Sequence, residues 1–247
     1  MIYINDITLP DVWFRTVRAF MEKEEGDPNR YKNTYVTEID SGSYGKDQEG
    51  ESKEAQYRVQ SDLTVIEITQ PWVRPLAVRM PEGSNMPEVA TEEKIEEYFA
   101  NYLMHAYLQK NENYTYGSRL LAHPTMAMDP NVKVFNQVEW VIKHIIDSPQ
   151  NNHCCLTIAM GGDLNLKHAP CLRLLDLKMV NGKLNMTLYF RSWDLYTGFP
   201  TNMGGLQLLN EYISSEVGCD PGSLFAVSSG LHIYSMYLDM CKTRLGW

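Results

Sequence analysis

Cys171 follows a proline in the run Ala169-Pro170-Cys171, and Arg191 opens a polar run, RSWDLYTGFPTN, that ends at Asn202. A thiol becomes a nucleophile only as the thiolate, and a neighbouring guanidinium favours that form. A lone cysteine is more often a small buried hydrophobe, so its neighbours decide. Between Cys171 and Arg191 two apolar runs, LRLLDLKMV and KLNMTLYF, flank Asn181-Gly182. Asn-Gly between apolar runs is the strongest local hairpin signal. An antiparallel return would bring Arg191 back beside Cys171, with a thiolate at neutral pH as the expected result. Arg191 and Ser192 suit a phosphate, as a planar fork and a hydroxyl. Asn202 offers one acceptor and one donor group, enough to read a base edge that has one of each. The same run also reads as a loop in which Asp194 and Asn202 cap a helix starting near Gly204, with Gly198-Phe199-Pro200 as a turn. His232 and Tyr234, in LHIY, would bind a sugar hydroxyl or sit as satisfied core residues.

The elements that must hold these groups follow from periodicity. LPDVWFRTVRAFMEKE sets Trp13, Val17, Phe20 and Met21 on one helical face, with Pro10 near its start. Residues 25 to 60 are polar and read as a long loop or excursion. DLTVIEIT reads as a strand and MPEGSNMPEVAT as a loop. TEEKIEEYFANYLMHAYLQ reads as one helix capped by Thr91. FNQVEWVIKHIID reads as a helix with Phe135, Val138, Val141, Ile142 and Ile145 on one face. CLTIAM is a short strand. In KLNMTLYF, Leu184, Met186, Leu188 and Phe190 alternate with other residues, so one face is buried. GGLQLLNEYISSEVG is a helix stopped by Gly218, LFAVSSGL a strand and HIYSMYLDMCK a last helix. The sum is α+β: a mostly antiparallel sheet with helices packed on it, in one domain spanning 1–247.

The chain has 247 residues and a net charge of -9. Such acidity argues against nucleic-acid or anionic-membrane partners, while a locally basic pocket still admits a small anion. The N-terminus has neither a basic start nor a long apolar core, and no apolar run approaches a membrane span. The five cysteines, Cys154, Cys155, Cys171, Cys219 and Cys241, are odd in number. They show neither CxxC nor a His/Cys ligand spacing, so reduced thiols, a cytoplasmic setting and no metal are expected.

Taken together, APC at Cys171, the order R-S-x-D…G-x-P-x-N in RSWDLYTGFPTN, and LHIY resemble the thymidylate synthases and related pyrimidine nucleotide hydroxymethylases. The likeness runs best from about Phe135 to Tyr234 and is nearest the methanogen-type synthases; YTYGSRL resembles the family's tyrosine-glycine element. The resemblance implies a thymidylate synthase-like fold, an obligate homodimer, a pyrimidine nucleotide substrate, and methylenetetrahydrofolate or a related methylene-pterin as one-carbon donor. It makes Cys171 the nucleophile that adds to C6 of the base. Arg191 would hold the 5′-phosphate and polarise the thiol, and Ser192 would add a phosphate hydrogen bond. Asp194 would present its backbone N–H to the base. Asn202 would read uracil, in place of the aspartate of cytosine-acting relatives. His232 and Tyr234 would bind the 3′-hydroxyl, and Tyr116 would join the network that removes the C5 proton.

The chain departs from the family at several positions. Where the family supplies two arginines to the partner's phosphate, this chain reads NNHCCL, with His153 and Cys154 in that place; His153, Lys133 and Arg119 are the candidate substitutes. Leu172 and Phe190 replace a usual histidine and glutamine. Glu96 and Glu97 fall near the place of the family's general base and read as solvated helix residues. Most of the family continue in a long folate-closing tail, whereas this sequence runs 13 residues past Tyr234, so a site more open to water is the expectation. Three functions follow in order: C5-methylation of a uracil nucleotide (dUMP to dTMP), 5-hydroxymethylation with the same nucleophile, and a nucleotide-binding homologue without activity.

Overall fold

The computed structural model describes residues 1–26, 37–38, 57–61, 63–80, 83, 86, 88–110, 112–124 and 134–247. Its larger sheet has six strands in the order β1 (Ile2–Asp6), β4 (Thr64–Ile68), β9 (Asp220–Ser228), β7 (Lys183–Phe190), β6 (Leu172–Val180) and β5 (Cys155–Thr157). A smaller sheet runs β2 (Thr37–Glu38), β3 (Tyr57–Gln60), β10 (Leu231–Tyr234) and β8 (Trp193–Asp194). Among the described residues five of the eight strand pairings are antiparallel. The α+β class with a mostly antiparallel sheet therefore holds.

The hairpin of β6 and β7 turns through Asn181 (φ 50°) and Gly182 (φ 78°), the backbone that a two-residue turn of this hand demands. Its register pairs Leu172 with Phe190. Leu184, Met186, Leu188 and Phe190 are each 0% exposed, and burying such side chains contributes about 1.5–3 kcal/mol apiece. The inner face of the large sheet is covered by α1 (Leu9–Gly26) and α5 (Gly198–Val217). On α1, Trp13, Val17, Phe20 and Met21 are all buried, as the periodicity requires. Helix α5 is the central element, with Phe199, Met203, Leu206, Leu209 and Ile213 fully buried. It ends at Gly218 in the left-handed region, φ 82°.

Three elements differ from the sequence expectation. Helix α5 begins at Gly198 rather than near Gly204. The cap is the Asp194 carboxylate, which accepts from the backbone N–H groups of Tyr196, Thr197 and Gly198 at 3.0, 3.2 and 2.9 Å. Asn202 is therefore inside the helix and Pro200 sits in its first turn, where a proline costs no hydrogen bond.

The expected helix over 91–109 is shorter. Thr91 caps α2 (Glu92–Tyr98), its side chain accepting from Lys94 N. A π-helical turn over Phe99–Leu103 follows and the helix ends. The Leu103 and His105 carbonyls then lie against Gly117, where a Cβ would stand 2.3 Å from His105 O. That close approach fixes α3 (Tyr116–Leu121), which is held by a Thr115–Ser118 capping box.

Residues 232–234 are strand rather than helix: β10 is hydrogen-bonded between β3 and β8, and this ladder overrides the helical pattern. The helix that follows, α6, covers only Leu238–Leu245. In the polar region 25–60, residues 27–36 and 39–56 lie outside the described residues, while β2 and β3 are strands. Helix α4 (Gln137–Asp147) matches its expectation, with Val138, Val141 and Ile145 buried, although Phe135 precedes the helix.

Candidate active site

Cys171 lies at the head of β6, and the return of β7 sets Arg191 against it. Arg191 N donates to Cys171 O at 2.9 Å. The Arg191 side chain donates through Nε to Pro170 O (3.0 Å) and through Nη2 to Ala169 O (2.5 Å). The guanidinium thus clasps the turn before the cysteine. The positive field at the thiol comes from Arg191, Arg58 and Arg173. Burial nonetheless pushes the Cys171 thiol up, and it outweighs all three guanidiniums. The expected thiolate at neutral pH is therefore corrected to a neutral thiol, because desolvation disfavours the charged form.

Arg58 was missed because it sits at the end of the polar stretch read as a loop. It is on β3, paired across the ladder with Tyr234, and its Nε is buried without a hydrogen-bond partner. Arg58 and Arg191 both also act on His232. A chain with net charge -9 thus carries a basic patch around one cysteine.

His232 is 3% exposed, and its Nδ1 lies 3.0 Å from Gly230 O. Burial holds its pKa below the ordinary value, so the ring is neutral. Donation from Nδ1–H to that carbonyl leaves Nε2 as a bare acceptor, buried and without a partner. Tyr234 packs edge-on against His232 at 5.0 Å. Ser192 is 8% exposed. The β8–β10 ladder uses the N–H groups of Trp193 and Leu195, which donate to Gly230 O and His232 O at 3.0 and 2.8 Å. The alternation of a strand then turns the Asp194 N–H toward the open edge of the sheet.

Tyr116 is 6% exposed and its hydroxyl accepts from Leu172 N at 3.1 Å, one residue from the thiol. It closes a row of tyrosines that only its last member announced in the sequence. Tyr98 stacks on Tyr102 at 5.3 Å, Tyr102 meets Tyr116 edge-on at 5.0 Å, and Tyr114 stacks on Tyr116 at 6.4 Å. Cys171 is close enough to act on all four phenols, each of which burial pushes up, Tyr114 to about 12. The four-residue spacing of Tyr98 and Tyr102 was the available signal.

Asn202, half-buried on α5, accepts at Oδ1 from Trp193 Nε1 at 3.2 Å. The Tyr98 hydroxyl lies beside the same side chain without closing a hydrogen bond of ordinary geometry.

Of the candidate substitutes for the arginine pair, only Arg119 borders this group, its guanidinium 5.9 Å over the Tyr114 ring with Nη1 buried and unpartnered. Arg119 is buried in an ion pair with Asp163 at 2.9 Å. His153 stacks on His144 at 5.8 Å, and Lys133 lies outside the described residues. Leu172 and Phe190 form a fully buried pair. Glu96 and Glu97 are exposed. Among the described residues no group of three or more His, Cys, Asp or Glu could hold a metal ion, and no helix is long and apolar enough to cross a membrane.

The sequence profile of the family described as thymidylate synthase matches residues 91–246. Curated proteins named "Putative thymidylate synthase" are similar to the chain. The one from Methanosarcina acetivorans is 32% identical over 170 residues, 68% of this chain and 74% of that protein. The one from Methanocaldococcus jannaschii is 31% identical over 179 residues, 69% and 73% of the two chains. The one from Methanosarcina mazei is 34% identical over 152 residues, 61% and 66%. A cysteine clasped by arginine, followed by the Asn202 amide, thus stands inside a matched region that covers well over half of the chain, and the chain belongs to the thymidylate synthase family.

Proposed function

We propose that this protein methylates C5 of a uracil nucleotide, dUMP to dTMP, by covalent addition of Cys171 to C6. The observation that carries the reading is the clasp of Arg191 around Ala169-Pro170, which sets a phosphate-binding group and a nucleophile side by side. Arg191, Arg58 and the Ser192 hydroxyl hold the 5′-phosphate. Arg58, with its unpartnered buried Nε, takes over part of the work of the missing arginine pair; each such charge-assisted contact is worth about 1.5–3 kcal/mol. The bare Nε2 of His232 accepts the sugar 3′-hydroxyl proton, with Tyr234 beside it. The Asp194 N–H and the Asn202 amide take the base.

Attack of Sγ on C6 pushes charge through C5 onto O4, where the Asn202 Nδ2–H group stabilises it. The guanidiniums favour transfer of the thiol proton to solvent water as the S–C6 bond forms. Tyr116 stays protonated, since burial holds its phenol up, so it orients a water that removes the C5 proton.

The one-carbon donor of this reading is methylenetetrahydrofolate or a related methylene-pterin. The residues present fit a flat ring: the half-buried Tyr102 and Tyr114 would hold it, while Tyr98 is closed between Tyr102 and Gly205 and supports the row from behind. When bound, the donor supplies a carbon at the formaldehyde oxidation level and the hydride for a methyl product. Product mass separates methyl from hydroxymethyl.

The chain acts as one domain, supported by a single large core that joins Ile2 to Cys241, and as a homodimer. A row across the outer face of the large sheet, Tyr3-Val65-Val227-Tyr189-Leu174, follows the strand register and offers an apolar surface to a second copy. Cys171→Ser tests the mechanism: turnover is lost while dUMP binding stays within a few fold. Surviving turnover removes the proposed nucleophile.

A further inference from the structure

Trp193 occupies a position that the phosphate- and base-reading roles leave unused, and its surroundings are unusually constrained. The indole is 2% exposed. It lies parallel to Phe190, with centroids 4.2 Å apart and planes 1° apart, and stacks on Phe199 at 4.6 Å on α5. Its backbone N–H is bonded to Gly230 O. The ring therefore cannot turn, and Nε1 is fixed where it donates to Asn202 Oδ1 at 3.2 Å.

An indole N–H donates and never accepts. It thus sets which end of the Asn202 amide is which. The Tyr98 hydroxyl, on the same side chain, can donate or accept and imposes no such choice. With Oδ1 pinned, one of its lone pairs remains for a donor on the base, and Nδ2 faces an acceptor. That order matches uracil, which presents N3–H and the O4 carbonyl. Cytosine presents N3 as an acceptor and the 4-amino group as a donor, so it needs the amide turned over. Turning it would set Nδ2–H against Nε1–H and leave the buried indole donor unpaired.

Resting on the uracil-nucleotide reading, we infer that Trp193 is a positioning residue that locks the Asn202 amide in its uracil-reading orientation and excludes cytosine nucleotides. The discrimination is a property of the Trp193–Asn202 pair and not of Asn202 alone. A site that leaves a buried polar group unpaired with the wrong substrate discriminates more strongly than one that only loses a contact.

The test is calorimetric titration of dUMP and of dCMP into wild type and Trp193→Phe. Phenylalanine keeps the stack and removes the donor. The wild type prefers dUMP; in W193F the dUMP/dCMP preference falls about tenfold or more, about 1.4 kcal/mol, because the amide is free to turn. A merely structural role would weaken both nucleotides together and leave the ratio unchanged. If W193F does not fold, benzothienylalanine at position 193 keeps the bicyclic shape and replaces N–H by sulfur, and the same fall is expected. A preference that survives within twofold in a folded variant overturns this inference alone. A wild type without preference for dUMP overturns it together with the uracil reading.

Discussion

Arg191 and Cys171 are joined through the backbone, Arg191 N to Cys171 O at 2.9 Å, while the Arg191 guanidinium reaches back to the two residues before the cysteine. The thiol is governed by two opposed effects. Burial pushes it up from the ordinary value near 9.0, and Arg191 is the largest of the influences that pull it down. Alkylation of Cys171 in the nucleotide-free protein should therefore keep accelerating with pH through 9. In Arg191→Ala the rise should shift to still higher pH. Rates of iodoacetamide modification, resolved by peptide mass, check this; a plateau below pH 8 would show that the arginines win.

Arg58 should matter to phosphate and not to base. Arg58→Gln removes one charge-assisted hydrogen bond of about 1.5–3 kcal/mol, so dUMP binding should weaken roughly 10- to 150-fold. Deoxyuridine, which lacks the phosphate, should bind both proteins alike. Titration of the two ligands decides it, and equal losses for both would place Arg58 elsewhere.

His232 links folding to pH. Its folded pKa is depressed below the ordinary 6.5 by burial, so the unfolded chain takes up a proton that the folded chain refuses. Stability is then present above about 6.5 and is lost as pH falls toward the folded pKa. The Tm of the wild type should drop between pH 7.5 and 5.5, and His232→Gln should drop less over that window. Parallel curves would mean that His232 carries no such linkage.

Gly117 tests how the tyrosine row is held. A methyl there would press on the carbonyls of His105 and Leu103, both backbone atoms with little room to yield. Gly117→Ala should cost about 1–3 kcal/mol of stability or more, which at about 2–4 °C per kcal/mol is visible in a melting curve. An unchanged Tm would contradict the close approach.

Much of this was legible in local sequence. Asn181-Gly182 set the hairpin, alternation on β7 set its buried face, and together they placed Arg191 at Cys171. What was not legible was long-range. Arg58 becomes part of the site only because β3 pairs with β10, a contact between residues about 170 positions apart. The same pairing makes 232–234 a strand against its helical pattern. Tyr98 and Tyr102 read as a continuous helix face, and the π-helical turn after Tyr98 is set by packing against α3 and α5. The thiolate expectation failed for a related reason. A sequence shows that a guanidinium returns to a thiol, but the dielectric cost of burial belongs to the assembled fold.

The most direct test of the central claim is tritium release from C5-labelled dUMP in the presence of methylenetetrahydrofolate. Addition of Cys171 to C6, followed by substitution at C5, must liberate that hydrogen whether the product carries a methyl or a hydroxymethyl group. The wild type should release tritium to water in step with product, and Cys171→Ser should release none. A folded protein that binds dUMP yet releases no tritium with any methylene-pterin, or release that persists in Cys171→Ser, would contradict the account.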